Sequence, residues 1–262
     1  MITSVKNTKI KMVRELLRAK KHRDQTRTMV VEGVRLAEEA LKANATINFC
    51  LYSDHISERG KKIVHKIQAL SYNAEEVSAD LLDRISDTKA SQGILLTAPY
   101  PEVPLQKKVD PVIVLDKIRD PGNMGTILRT AAAMDIGAVL LTAGTTDPFS
   151  PKVMRAAMGA QFHLPIRYMG AQDILNLCKD FNGIELSIFL TDSSSLKTCW
   201  ETDLSKPACI IIGSESEGVS ANIREIADES ISIPMGSLME SFNAAVAASI
   251  LMYEIKRQRT NQ

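Results

Sequence analysis

A mainly parallel α/β fold is predicted by one pattern that occurs three times in this sequence. Short apolar runs at 111–115, 208–212 and 231–234 read as buried strands. A polar, glycine-bearing loop follows each run, and a helical pattern follows each loop. Alternation of this kind argues for parallel strands joined by helices that flank the sheet. In such sheets ligands sit just beyond the carboxyl ends of strands, so the three loops predict one composite small-molecule site.

The remaining elements follow in chain order. Residues 8–21 pattern as a basic amphipathic helix, with Ile10, Val13, Leu16 and Leu17 on one stripe. A short β-branched run covers 28–31. A second helix is expected over 32–44, where Val34, Ala37, Leu41 and the Glu38–Lys42 pair recur at helical spacing. Then come a strand at 47–53, a helix at 58–70, a short strand at 75–77, a helix at 79–85 and a strand at 93–97. Together they predict a small α/β domain over 1–98. Pro99, Pro101 and Pro104 fall within six positions. Proline fixes φ and lacks the ladder donor, so 99–109 is expected to be an extended linker. The second domain, 110–262, continues with helices at 126–134, 151–159 and 171–180, strands at 138–142 and 186–191, and the last two strand–loop–helix units.

Composition narrows the function. Apolar residues make up 45% and charged residues 24%, and the formal charge is +1, which excludes a globally basic nucleic-acid binder. The charge is uneven, however. Residues 1–27 carry nine Lys and Arg against Glu15 and Asp24. Clustered cations of this kind suit a phosphate backbone, because binding releases condensed counterions. Cys50, Cys178, Cys199 and Cys209 form no CxxC pair, and the four histidines show no metal-ligand spacing. Reduced structural thiols and no metal site are expected. The sequence has no apolar leader and no run of some eighteen apolar residues, so a cytoplasmic protein without a membrane span is expected.

The chemical vocabulary of the loops is narrow. Gly122-Asn123-Met124-Gly125 is not GxGxxG, and no GxxxxGK[ST] loop occurs, which argues against dinucleotide and NTPase chemistry. No GxSxG elbow is present, and Ser193-Ser194-Ser195 has no histidine to activate it. What remains is Asn123, Arg129, Glu215, Ser241 and Asn243. Such a set orients and stabilises but offers no obvious general base, so it suits an intrinsically activated donor.

Three segments resemble the signature motifs of the SpoU/TrmH family of RNA 2′-O-ribose methyltransferases, within the SPOUT superfamily. They are Asp120-Pro121-Gly122-Asn123-Met124-Gly125 continuing to Arg129-Thr130-Ala131, then Ile212-Gly213-Ser214-Glu215-Ser216-Glu217-Gly218, then Ile233-Pro234-Met235 through Ser241-Phe242-Asn243-Ala244. Arg155-Ala156-Ala157-Met158-Gly159 is similar to a family helix, and Val31-Glu32-Gly33-Val34-Arg35 to the start of the family's substrate-binding domain. Ser216, Phe242 and Ala157 depart from the usual glycine, leucine and serine. Gly236 sits one place earlier than in many members. None of these removes a polar group at the core of the signature, so they bear on substrate identity more than on activity.

The resemblance implies a C-terminal trefoil-knotted domain and an N-terminal domain with an L30e-like fold. It implies S-adenosyl-L-methionine as methyl donor, structured RNA as substrate (ribosomal rather than transfer RNA), and a homodimer formed through the C-terminal domain. By the same resemblance Asn123, Arg129, Glu215 and Asn243 form the reaction centre. Thr191, Gly213, Ser214, Glu215, Gly218, Ile233, Met235, Ser241, Phe242 and Asn243 surround the donor. A role for Arg129 as clamp of the target phosphate is preferred to one as base, since arginine is not deprotonated in proteins. Lys6, Lys9, Arg14, Arg18, Arg35, Arg129 and Arg155 are the expected RNA contacts. Ser241 is expected to cap the last helix, and Val246, Ile250 and Tyr253 to lie in the core or a dimer interface. A transfer-RNA enzyme, a base methyltransferase and a non-catalytic RNA-binding factor are the alternatives.

Overall fold

β-branched and apolar runs become strands here, and apolar residues recurring every three or four positions become helices, as their side-chain periods dictate. The computed structural model describes residues 1–88, 90–106 and 110–260. The end of the expected linker, 107–109, and residues 261–262 lie outside the described residues. The chain divides into two units, Met1–Glu102 with Asp147–Phe162, and Val103–Thr146 with His163–Gln262.

The first unit carries α1 (Thr8–Arg18), α2 (Lys20–Thr26), β1 (Thr28–Glu32), α3 (Val34–Lys42), β2 (Phe49–Tyr52), α4 (Glu58–Ala69), β3 (Ala74–Glu76), α5 (Ala79–Ile85) and β4 (Ile94–Pro99). The second unit opens with β5 (Val112–Leu115), α6 (Pro121–Ala133) and β6 (Ala138–Leu141). The chain returns to the first unit for α7 (Pro151–Ala157) and a 3-10 turn (Ala160–Phe162). It completes the second with β7 (Ile166–Tyr168), α8 (Ala171–Lys179), β8 (Ser187–Thr191), β9 (Ala208–Ile212), α9 (Ala221–Arg224), β10 (Glu229–Ile231) and α10 (Ala244–Thr260).

The sheet of the first unit runs β1-β4-β2-β3, with β4 antiparallel to both neighbours. Alternation along β1 feeds two cores. Met29 and Val31 join Ala37, Ile63 and Ile67 of α3 and α4. Val30 joins Ile10, Val13 and Leu16 of α1 and Leu81, Leu82 and Ile85 of α5. The helix expected over 8–21 breaks at Ala19, whose backbone is extended (φ −121°, ψ 115°). Past the break Arg23, counted on sequence among the surface cations, turns inward and is only 4% exposed. Its Nε and Nη2 donate to Asp147 Oδ2 at 2.8 and 2.7 Å, and Nη1 donates to the Leu16 carbonyl.

Asp147 belongs to a segment that the sequence had placed in the C-terminal domain. The segment instead completes the first unit. Met154 and Phe162 enter its core, and Phe149 stacks on Tyr100 with ring centroids 4.1 Å apart. Pro99 ends β4 and Tyr100 is buried, so the first two residues of the expected linker are part of the fold.

In the second unit six strands run β10-β8-β9-β5-β6-β7, every neighbouring pair parallel. All their carboxyl ends therefore share one edge. β7, an edge strand of three half-buried or exposed residues, was not anticipated, because it is too short to carry a pattern. One sheet face packs Val112, Val114, Leu140, Ile188, Leu190 and Ile211 on Ile174 and Cys178 of α8 and Ile223 of α9. α10 packs on α6 and β9. The four cysteines are buried free thiols, and burial pushes that of Cys50 up to about 12. Among the described residues no helix is long and apolar enough to cross a membrane.

Asp147→Ala strands the Arg23 guanidinium in the interior without its anion. Urea unfolding followed by circular dichroism is expected to show a loss of about 3–5 kcal/mol, the usual consequence of halving a buried ion pair.

Candidate functional site

The site begins with a buried carboxyl group. Asp116, at the end of β5, is 1% exposed. Its Oδ1 accepts from Thr142 Oγ1 at the end of β6 (2.5 Å), and its Oδ2 from the Ser220 amide (2.7 Å). These bonds hold the loops after β5 and β9 in register. α6 then starts five residues earlier than expected. Asp120 caps it, its Oδ1 accepting from the Asn123 amide at 2.8 Å, and Pro121 takes the first helical position. Gly122 and Gly125 had suggested a loop through 125, but both lie inside the helix. A Cβ on Gly122 would come within 2.9 Å of the capping Oδ1.

The loop after β9 is a tight reversal in which Ser214 and Gly218 exchange backbone hydrogen bonds, both 3.0 Å. A Cβ on Gly213 would lie 2.5–2.6 Å from backbone atoms of Gly218 and Val219, so only glycine fits. Gly218 has φ +65°.

The third loop ends at Asn243. Its Oδ1 accepts from the amides of Ala245 and Val246 at 2.9 and 3.3 Å, so Asn243 caps α10. Ser241, expected in that role, is exposed and is not the cap. With Oδ1 committed to two N–H donors, the Asn243 amide has one orientation, and its Nδ2 must find acceptors. It donates to Glu215 Oε1 and to Asn123 Oδ1, the latter at 3.0 Å. Asn123 Nδ2 and the Ala244 amide also donate to Glu215 Oε1, each at 3.0 Å. Three loops thus close on one carboxyl oxygen.

Arg129 is not part of this triangle. It is exposed and has no hydrogen bond or ion pair among the described residues. Six residues beyond Asn123 on one helix, it points about 120° away. One turn before it, Thr126 lines a shallow apolar groove with Trp200, Val246, Ile250 and Tyr253. Trp200 and Tyr253 are 70% and 62% exposed. The stripe expected in a core or interface therefore faces outward, while Ala248, Leu251, Met252 and Ile255 are the buried residues of α10.

Beside the triangle lies a cleft of about 210 Å³. Of the residues expected around the donor, Thr191, Gly213, Ser214, Glu215, Gly218, Ile233, Met235, Ser241 and Phe242 line it, and Asn243 adjoins it through Ala244. Sequence reasoning missed Asp192 and Arg224. The signal was available for Asp192, which directly follows the end of β8. Hydrogen bonds from the hydroxyl and amide of Ser194, with the Arg224 guanidinium 2.9 Å away, push its carboxyl down to about 2. Thr191 Oγ1 in the wall is buried without a partner among the described residues. A buried hydroxyl left unpaired is costly, and a polar ligand in the cleft would satisfy it.

The expected RNA contacts fare unevenly. Lys6, Arg18 and Arg35 are exposed and Arg14 half-buried, with no side-chain partner among the described residues. Lys9 pairs with Glu75 and lies over the Phe49 ring at 5.2 Å. Arg155 is already engaged within the first unit: its Nη2 bonds Asp87 at 2.7 Å and its Nη1 lies 3.8 Å from Glu32, which fastens α7 there. No cluster of metal-ligating residues occurs among the described residues.

Fold and site together define a class, an α/β transferase site whose polar groups position two reactants at the carboxyl edge of a parallel sheet. The SpoU rRNA Methylase family profile matches residues 110–253, and that of the MRM3-like substrate binding domain matches 7–96. The chain belongs to the SpoU rRNA methylase family. It is 31% identical to the 23S rRNA (guanosine(2553)-2′-O)-methyltransferase RlmP of Bacillus subtilis, over 97% of this chain and 98% of that one. The crystal structure of an AdoMet-bound rRNA methyltransferase from Sinorhizobium meliloti is similar at TM-score 0.85 and 29% identity, covering 98% and 97% of the two chains. An RNA 2′-O ribose methyltransferase structure matches at TM-score 0.81 and 31% identity, with 99% of both chains covered.

Gly213→Ala is expected to push the loop after β9 off Gly218. Calorimetry should show S-adenosylmethionine binding weakened at least tenfold, with the rest of the fold retained by circular dichroism.

Proposed function

We propose that this chain transfers a methyl group from S-adenosyl-L-methionine to the 2′-hydroxyl of a ribose in large-subunit ribosomal RNA. The observation that carries the reading is the wall formed by Glu215, oriented by Asn123 and Asn243, beside a cleft that offers an unpaired buried hydroxyl. The donor fits that cleft, held by the backbone around Gly213 and Gly218, the Thr191 hydroxyl and the apolar walls of Ile233, Met235 and Phe242. When bound it supplies a methyl already activated on a sulfonium.

The protein's own work is positioning, with Glu215 as the proton acceptor. Glu215 Oε1 is saturated by three donors, while Oε2 has no partner among the described residues. With the donor bound, Oε2 would accept the hydrogen bond of the incoming ribose hydroxyl, aim the hydroxyl's lone pair at the donor cleft and take its proton while the ribose oxygen gains the methyl and the sulfur leaves as a neutral thioether. The relatives named for 23S rRNA and for ribose methylation support ribosomal RNA and the 2′-oxygen over transfer RNA or a base nitrogen. Lys6, Arg14, Arg18 and Arg35 are the RNA contacts of the N-terminal unit, which takes the L30e-like substrate-binding role. The trefoil knot expected of the family is part of the same reading.

A second copy covers the apolar groove of α10. That arrangement gives Arg129, one turn along α6 from the groove residue Thr126, a site to complete in the partner, where it clamps the phosphate of the target nucleotide.

Incubation with the methyl donor and unmodified 23S rRNA transcript, followed by nuclease digestion and mass spectrometry, is expected to yield one 2′-O-methyl nucleoside. A base-methylated product, or no donor binding by calorimetry, goes against the proposal. Asn243→Asp keeps the cap oxygen but turns an acceptor toward Glu215. Single-turnover methylation should fall at least about a hundredfold with little change in Tm. Mixing Arg129→Ala with Asn243→Asp subunits should restore up to about a quarter of the wild-type rate, since half the dimers are mixed and carry one intact site each. No recovery would place Arg129 in its own protomer's site.

A further inference from the structure

On the other side of Glu215 lies a second cleft, of about 200 Å³. It shares Ser214, Glu215 and Ala244 with the donor cleft, so Glu215 is a partition between two chambers. Its remaining wall comes from the loop after β5, including Lys117, Arg119 and Asn123. If the first chamber holds the methyl donor, the second is where an acceptor ribose meets Glu215 Oε2. This inference therefore rests on the proposed function and deepens it.

Two cations at this mouth are tied to a single carboxylate. Arg119 Nη2 lies 2.7 Å from Glu217 Oε1, and Lys117 Nζ lies 3.5 Å from Oε2. The Arg119 hydrogen bond, with Lys117 adding to it, holds the Glu217 carboxyl below the usual range. Glu217 stands on the tight reversal closed by Ser214 and Gly218, its amide donating to Ser214 Oγ at 3.1 Å. Lys117 is built into place, with a left-handed backbone (φ +54°). Its stem passes over Gly144, where an added Cβ would lie 3.5 Å from Lys117 Cγ.

We propose that Lys117 and Arg119 form the binding site for a second RNA phosphate, the one that flanks the target ribose on the side Arg129 does not clamp, and that Glu217 is a stand-in anion which this phosphate displaces. An exposed ion pair contributes little to stability, so giving it up is easy. A phosphodiester placed between the same cations gains two charge-assisted contacts and releases their counterions. While Glu217 occupies them, the two side chains stay extended at the mouth of the cleft and weakly held RNA is turned away. The role differs from that of Arg129, which lies on another face of α6 outside both clefts.

The test uses the full chain and a short oligouridylate, with binding read by fluorescence anisotropy across a salt series. Lys117→Ala/Arg119→Ala is expected to weaken binding about tenfold and to reduce the slope of log K against log salt by about 0.7 per cation removed. Affinity for S-adenosylmethionine, read by calorimetry, stays unchanged, because neither side chain lines the donor cleft. Glu217→Gln is expected to tighten RNA binding about threefold in the wild-type background and to have no effect in the double variant. An equal gain in both backgrounds would mean a general loss of negative charge and overturn the stand-in role. An unchanged salt slope in the double variant would overturn the phosphate site. Failure of the wild-type protein to bind the methyl donor counts against the proposed function instead, so the two readings fail separately.

Discussion

Asp116 carries the geometry of the whole site. Its carboxyl group is buried at the end of β5, and both oxygens are used, one by a hydroxyl at the end of β6 and one by an amide beyond the β9 loop. A buried acceptor that loses its donors costs free energy, so the three chain segments hold a common position. Everything at the reaction centre hangs from that arrangement. The loop that leads into α6 carries Lys117 and Arg119 outward, and the first turn of α6 carries Asn123 inward. The β9 loop delivers Glu215 to a point where Asn123 can reach it. No strand needs an unusual conformation for this, because all six run parallel and end on one edge.

Hydrogen-bond arithmetic then removes the remaining freedom. Asn243 spends its oxygen capping α10, which forces its nitrogen toward Glu215 and Asn123. Asn123 is held at its own amide by Asp120 and at its side chain by both partners. The two asparagine amides are therefore oriented by bonding rather than by choice of flip. Glu215 keeps one carboxyl oxygen unsatisfied at the boundary of two clefts. Catalysis by positioning depends on such prior ordering, since groups that are already aligned need no reorganisation when the reactants arrive.

Much of this was legible in the sequence. The apolar runs at 111–115 and 208–212 placed two central strands within a residue, and the polar loops after them, with the third loop that leads to the last helix, named the three members of the triangle. Arg129 was named as the fourth, yet nothing local could reveal that six helical positions carry it to a different face. Asp120-Pro121 is a good helix start, but the two glycines that follow hid it. Arg23 and Arg155 read as surface cations, because their anions lie 124 positions away at Asp147 and 68 positions away at Asp87. Thr191 was expected beside the donor and Asp192 directly follows it, whereas Arg224 joins the cleft through a tertiary ion pair that no short-range pattern encodes.

The segment Asp147–Phe162 has a consequence for modularity. Family profiles divide the chain into two successive cassettes, 7–96 and 110–253, as though the substrate-binding part could be lifted out whole. The physical unit does not respect that boundary, because its core takes Met154 and Phe162, and its buried arginine takes Asp147, from inside the second cassette. During synthesis the first unit must wait for β5, α6 and β6 to be made before its own last residues arrive. A graft of RNA specificity between relatives has to carry both stretches together. Exchange at the proline-rich junction alone would leave an arginine without its carboxylate and an apolar face without its cover.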